Sequence, residues 1–227
     1  MSSSLDLLAR YQRIAPLYDL LDAPFEWGRQ RVVRGEMFHG LSGLILDAGV
    51  GTGRNFPFYP NASEVAGIDL SPAMLKRAGP RRVRSSAPVE LRVMDVTRLD
   101  FPDRSFDAVV ASFLFCVLSE EQQLPALSEL GRVLRPAGII RLLDYVRPRQ
   151  PFRRFVTRLW DPWIRRAFGA SFDRAPERYL SEAGLRLVDA RFVAADLIRL
   201  LEAGHANDET EKTLSASLEK SCPTFTI

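Results

Sequence analysis

Between residues 44 and 145, short apolar runs alternate with stretches whose apolar residues recur at helical spacing. The run "LILDAG" at 44–49 ends in an acid and a glycine, and predicts a buried strand, a glycine turn and a short helix. A second strand is predicted over "EVAGIDL" at 64–70. In "SPAMLKRAG" at 71–79, Ser71 stands as N-cap, Pro72 takes the first helical position and Gly79 closes the helix. "VELRVMDV" at 89–96 and "FDAVVASFLFCVL" at 106–118 predict the third and fourth strands. Leu124, Leu127, Leu130, Val133 and Leu134 mark a helix that ends before Pro136 and Gly138, and "IIRLLDY" at 139–145 predicts a fifth strand. Apolar strands separated by helices imply an α/β domain with a parallel sheet covered on both faces, because only crossovers join parallel neighbours.

A different pattern follows in "DYVRPRQPFRRFVTRLWDPWIRRAFGASFDRA" at 144–175. Phe152, Phe155, Val156, Leu159, Trp160, Trp163, Ile164, Ala167 and Phe168 form one helical stripe, and Arg153, Arg154, Arg158, Arg165 and Arg166 crowd the other positions. Pro162 is expected to kink this helix or divide it in two. The stripe can be core, packed on the domain. Arginine at this density beside tryptophan also suits an interfacial helix, whose apolar face enters acyl chains while its cations meet anionic headgroups. The N-terminal Leu5, Leu7, Leu8 and Tyr11, beside Arg10 and Arg13, read the same way.

Composition narrows the classes. A chain of 227 residues, 46% hydrophobic, is enough for one sizeable core and is expected to form a single domain. The N-terminus has neither a basic leader nor an unbroken apolar stretch, and the run at 109–118 is too short to span a bilayer, so a cytoplasmic protein is expected. Cys116 and Cys222 have no ligand spacing around them, which argues against a zinc site or a disulfide framework; no metal is expected. The net charge of +3 is unevenly spread. From 205 onward four acids outweigh two lysines in a Thr/Ser/Glu mixture without arginine, so 205–227 reads as a flexible tail and the body, 1–204, is the more cationic part.

In a sheet of this kind, ligands bind outside the carboxyl ends of the strands. Asp47 ends the first strand, glycines at 49, 51 and 53 let the backbone approach a ligand, and Asp69 ends the second strand where an acid can accept both ribose hydroxyls. The pattern is D-x-G-x-G-x-G, not the dinucleotide G-x-G-x-x-G, and an acid before the glycines suits an ammonium or sulfonium better than a diphosphate.

This loop resembles motif I of class I S-adenosylmethionine-dependent methyltransferases, and "GIDLSPAML", "MDVTRLDFPDRSFDAVVA", "LSELGRVLRPAGII" and "YLSEAGLRLVDARFVAADLIRLLEA" match further family motifs in order. The resemblance implies a Rossmann-like, mostly parallel seven-stranded sheet, with S-adenosylmethionine as cofactor and S-adenosylhomocysteine as product. It implies that Asp47 and the backbone of Gly49, Gly51 and Gly53 hold the methionine moiety, with Thr52 and Asn55 also binding cofactor. Asp69 takes the ribose, Leu70 and Met74 one face of the adenine, Asp95 and Val96 its amino edge, and Ser112 and Phe113 the α-ammonium. Met74 can equally be helix core, and Asp95 can cap a turn.

Ahead of the loop, "YQRIAPLYD" resembles the Y-x-x-I-A-P-x-Y-D pattern of bacterial phosphatidylethanolamine N-methyltransferases and the related ubiquinone and menaquinone C-methyltransferases. It implies that residues 1–40 are a helical lid, with Tyr11, Tyr18 and Asp19 over the cofactor, unless they only pack the helix on the domain. The quinone enzymes tend to carry an E-F-S-x-P-like stretch after the fifth strand, where this chain has "DYVRP" and then the basic aromatic insertion at 147–176. That departure favours an amine of phosphatidylethanolamine as acceptor, on an anionic phospholipid surface at the inner face of the membrane. The alternatives are a quinone or small-molecule acceptor and a catalytically silent cofactor-binding protein. Asp144, Arg147, Arg153, Arg154, Trp160, Trp163, Arg165 and Arg166 are the expected lipid-facing residues. The candidate proton acceptors are Tyr18, Asp19 and Tyr145, with Asp144 a further choice, because His39 is expected at the amino edge of the sheet and His205 in the tail. A nucleic-acid acceptor is not expected: "SFLFC" stands where an N-P-P-Y-like stretch would be.

Overall fold

The computed structural model describes residues 7–15, 18 and 31–206. Helix α1 (7–15) and α2 (Arg31–Phe38) precede β1 (Gly43–Ala48). There follow β2 (Ser63–Asp69), α3 (Pro72–Ala78), β3 (Val89–Val93), β4 (Phe106–Ser112), α4 (Glu120–Val133) and β5 (Leu134–Tyr145). The chain continues through α5 (Pro151–Phe168), β6 (Leu185–Ala194) and β7 (Ile198–His205). The seven strands lie in the order β3-β2-β1-β4-β5-β7-β6. All neighbours from β3 to β5 are parallel, and β7 runs antiparallel to both β5 and β6. This is the expected mostly parallel, Rossmann-like sheet, and its order reverses between β1 and β4, which opens a crevice at their carboxyl ends.

Alternate residues of the central strands serve two cores. Leu46, Val109 and Leu142 pack with Leu127 and Leu130 of α4 on one face, while Ile45, Val110 and Leu143 pack with Val33 and Met37 of α2 on the other. Leu127 and Leu130 are fully buried, and truncating such a leucine to alanine costs about 2–5 kcal/mol.

The predicted elements need four corrections. The apolar run at 106–118 is not one strand: β4 stops at Ser112, Phe113 takes a positive φ of 55° and the chain turns. Phe115, Cys116 and Leu118 are apolar because that turn is buried. Second, β5 begins at Leu134, ahead of Pro136 and Gly138, because the chain crosses them in a bulge: Phe106 pairs with Leu134, then Ala108 with Ile139. Gly79 caps α3 as expected, its N–H bonded to the Leu75 carbonyl, and with a φ of −45° the chain runs on into a 3₁₀ segment, Gly79–Arg84. Third, Pro162 does not divide α5, which is one helix of 18 residues. Finally, His205 belongs to the sheet as the last residue of β7, its Nε2 lying 3.1 Å from the Leu134 carbonyl oxygen. Residues 207–227 of the expected tail lie outside the described residues.

Candidate active site

At the carboxyl end of β2, Asp69 ties the glycine loop to the start of α3. Its Oδ2 accepts the Gly51 N–H at 2.9 Å and its Oδ1 the Ser71 N–H at 2.8 Å. Burial pushes its carboxyl up to about 6, against the pull of those two amides. The loop itself requires glycine: at Gly53, φ is +81° and a Cβ would lie 2.6 Å from the Phe56 ring. Asp69, Leu70, Met74, Asp95 and Val96 come together around a chamber of about 90 Å³ that Gly49 and Gly51 also line. Asp95 caps its own turn, its Oδ1 accepting the Thr97 N–H and hydroxyl, and the residue also lines the chamber. Met74 is likewise both helix core and chamber wall.

Behind the loop lies a buried polar cluster. Asn55 donates from Nδ2 to Asp47 Oδ2 at 2.8 Å and to Ser112 Oγ at 3.0 Å, and Tyr59 donates its hydroxyl to the same Asp47 oxygen. Arg34 of α2 donates from Nη1 to Asn55 Oδ1 at 2.6 Å and to Ser112 Oγ at 3.2 Å. Burial lifts the Asp47 carboxyl to about 6, opposed by Tyr59, Asn55 and the Arg34 charge. Arg34 and Tyr59 were absent from the sequence expectations. The signal was present for Arg34: Val33, Arg34, Met37 and Phe38 share the buried stripe of α2, a costly place for an arginine without a role.

A second cavity of about 390 Å³ adjoins the first, and Tyr11, Tyr18, Gly49, Gly51, Ser112 and Phe113 line both. Its wall is aromatic. Phe113 and Tyr145 lie 4.8 Å apart by ring centroid, Tyr145 and Phe172 5.8 Å, and Tyr18 meets Phe168 edge-on at 6.0 Å. Thr52 lines this cavity, and both its carbonyl and its hydroxyl oxygen accept from Arg81 Nη1. Among the described lining residues the only charged side chains are Arg34 and Arg54; none is an acid or a histidine.

That removes Asp144 from the expected acceptors. It is buried outside both cavities, where its two oxygens accept the N–H groups of Phe115 and Cys116 and so hold the turn after β4. Burial pushes its carboxyl up to about 7. Asp19 lies outside the described residues.

Helices α1 and α5 roof the site. α5 is pinned at its start by Asp196, whose Oδ2 accepts the N–H groups of Arg149 and Gln150 and whose Oδ1 pairs with Arg153 at 2.6 Å. At its end Arg10 donates to the Arg165 carbonyl at 3.1 Å and Tyr11 to that of Phe168 at 3.2 Å, which places a cation at the negative pole of the helix. The apolar stripe of α5 is divided between two sides. Val156, Trp160 and Ile164 line the larger cavity, while Phe152, Phe155 and Leu159 are 67–78% exposed. Trp163 stacks edge-on with Trp160 and Phe168. The arginines divide as well. Arg147 pairs with Asp173, Arg153 with Asp196, and Arg165 with Asp161 and Asp173, whereas Arg154, Arg158 and Arg166 make no ion pair among the described residues. In α1, Leu7 and Leu8 line the smaller chamber, so these residues face inward and not a bilayer.

Comparison with known proteins agrees with this geometry. A methyltransferase domain family matches residues 45–138, from β1 into β5. The ubiquinone/menaquinone biosynthesis C-methyltransferase UbiE of Syntrophotalea carbinolica is 32% identical over 183 residues, covering 76% of each chain. The protein belongs to the S-adenosylmethionine-dependent methyltransferases. A second relative of this methyltransferase, the phosphatidylethanolamine N-methyltransferase of Cereibacter sphaeroides, is 43% identical over 105 residues, which is 45% of this chain and 51% of that one. In fold it resembles DhpI, solved with SAM and HEP, at a TM-score of 0.68 and 18% identity over 89% of this chain and 98% of that one. The cofactor of the methyltransferase is S-adenosylmethionine. The chamber fits it: Asp69 offers acceptor lone pairs to a ribose, Met74 and Val96 offer apolar walls to an adenine, and the glycine loop offers close backbone approach.

Proposed function

We propose that this methyltransferase acts on the amine of phosphatidylethanolamine and its mono- and dimethylated forms, producing phosphatidylcholine at the membrane surface. The observation that carries this reading is the larger cavity, aromatic and free of acids among its described residues, joined to the cofactor chamber and roofed by a helix with exposed apolar residues and three arginines that make no ion pair with any described residue. Aromatic faces such as those of Phe113 and Tyr145 attract methylated ammonium groups, and no carboxylate among the described lining residues forms an ion pair to trap them. The likeness to the enzyme of Cereibacter sphaeroides supports the same acceptor.

Methyl transfer is an in-line displacement at the sulfonium carbon, so the site has to align donor and acceptor and exclude water. The acceptor amine also has to be neutral. With an ordinary amine pKa near 10.4, freeing the lone pair at pH 7 costs roughly 4–5 kcal/mol. Burial in an apolar cavity, Arg54 and the sulfonium all favour the neutral amine, and the hydroxyls of Tyr18 and Tyr145, two residues of the cavity wall, pass its proton to water. No described helix is long and apolar enough to cross a membrane, and the reading needs none: α5 lays its outer face on the inner leaflet, with Arg154, Arg158 and Arg166 toward anionic headgroups.

A quinone acceptor is the second reading. It is favoured by the longer reach of the UbiE likeness, 76% of the chain against 45%, and an aromatic cavity also suits a planar ring. The test offers labelled S-adenosylmethionine with anionic vesicles containing phosphatidylethanolamine, and in parallel with a demethylated quinone. Labelled mono-, di- or trimethyl lipid, formed faster as pH rises, is the expected result; label in the quinone alone overturns it.

A further inference from the structure

The larger cavity holds a buried cation that neither the sequence motifs nor the acceptor reading requires. Arg34 is 5% exposed, lines that cavity and not the smaller chamber, and lies against the residues the two share: its Nη1 is 3.2 Å from Ser112 Oγ and its guanidinium carbon 5.3 Å from the Phe113 ring centre. A cofactor with its adenosine among Asp69, Met74 and Val96 runs past Gly49, Gly51 and Ser112 to reach the larger cavity, so its methionine end arrives beside Arg34.

That end is a zwitterion, with a carboxylate and an ammonium on one carbon. The protein presents the opposite arrangement. Arg34 and Asp47 are its buried cation and anion, and Asn55 bridges them with Oδ1 toward Arg34 and Nδ2 toward Asp47. Asp47 keeps Oδ1 without a hydrogen-bond partner among the described residues. A buried anion and cation held apart by a neutral amide complement a bound zwitterion without a net change of charge in the site, and guanidinium is the side chain best shaped for a carboxylate.

We infer that Arg34 binds the α-carboxylate of the cofactor's methionine moiety, with Asp47 and Asn55 holding it in position. This assignment concerns the cofactor alone and stands or falls independently of which acceptor is methylated.

Calorimetry with two ligands tests it. S-adenosylhomocysteine carries the carboxylate; 5′-methylthioadenosine keeps the adenosine and the sulfur but lacks the amino-acid end. In Arg34→Gln, affinity for S-adenosylhomocysteine is expected to fall on the order of 30-fold, the scale of a lost charge-assisted contact, while 5′-methylthioadenosine binds within about twofold of the parent. Arg34→Lys keeps the charge without the planar fork and is expected to lose less for the first ligand and nothing for the second. It also serves as the test if the glutamine variant does not fold. Equal losses for both ligands would make Arg34 a structural residue, and no loss for either would remove it from the site. Unchanged S-adenosylhomocysteine affinity with a raised KM for phosphatidylethanolamine would hand Arg34 to the acceptor's phosphodiester. Each of these three results overturns the inference.

Discussion

The two chambers of the site are built in opposite ways. The cofactor chamber is made at the ends of β1, β2 and β4 by short backbone contacts: two main-chain amides fix Asp69, and glycine keeps the loop close to the ligand. The larger cavity is made by side chains carried on α1, α5 and the turn after β4, packed ring against ring under a roof pinned at both ends. A backbone site is rigid and recognises one constant molecule. A roof of side chains over an apolar cavity can be rebuilt for different acceptors while the cofactor chamber stays the same, which is how one fold serves many substrates.

The largest expected effect separates the chambers at a residue that lines both. Tyr18→Phe removes a hydroxyl but no ring, and turnover on the lipid acceptor is expected to fall roughly 10²-fold with cofactor affinity nearly unchanged. Steady-state kinetics beside calorimetry measure this; an equal loss of cofactor affinity would erase the division. Next comes Asp69→Ala, which lies in the cofactor chamber alone. It is expected to weaken S-adenosylmethionine binding by about 2 kcal/mol, or some 30-fold, while the folded variant still binds vesicles like the parent.

The pH response of the cofactor chamber follows from the same acid. Burial raises Asp69 and Asp47 to about 6 in the unliganded protein, so both take up protons as pH falls through that value. Ribose hydroxyls donate to the ionised carboxylate of Asp69, so protonation opposes binding and the affinity falls with pH. At pH 5 the cofactor is expected to bind about tenfold more weakly than at pH 7, measured by calorimetry, with the dependence lost in Asp69→Ala if that residue dominates. A flat profile would show that neither acid meets the ligand.

The smallest effect probes the outer side of the roof. Leu159 is 71% exposed on α5, and Leu159→Ser is expected to weaken binding to anionic vesicles by roughly 1 kcal/mol, about fivefold, leaving cofactor affinity and melting temperature unchanged. Flotation at two salt concentrations reads it, since binding through Arg154, Arg158 and Arg166 weakens as salt rises. A lower melting temperature would mean that Leu159 is packing residue and not membrane contact.

Much of this was legible along the chain where the signal is local. Ser71 and Pro72 announce the start of α3, and Ser71 Oγ does accept the Met74 N–H. The glycine spacing and Asp69, the last residue of β2, lead to the smaller chamber, and Asp95 just past β3 lines it too, whereas Asp47 near the end of β1 lies buried behind the loop on Asn55 and Tyr59. Asp144 shows the limit. It too ends a strand, but its carboxylate turned into the body of the protein to hold the buried amides of Phe115 and Cys116, and no spacing in the sequence distinguishes that from a side chain facing the ligand.

The sequence by itself determined the alternation of strands and helices up to β5 and the glycine turn after β1, because periodicity, caps and glycine turns act within a few residues of themselves, while the kind of cofactor followed from the resemblance of its motifs to those of the methyltransferases. Only the tertiary structure decided that Arg34 joins Asn55 and Ser112, that the stripe of α5 splits into a cavity wall and an exposed face, and that Arg153 and Arg165 of that helix are held in ion pairs. Those outcomes depend on which partner arrives from far along the chain, Asp196 against Arg153 and Arg10 against the end of α5, and burial and charge pairing are settled only when such distant segments pack together.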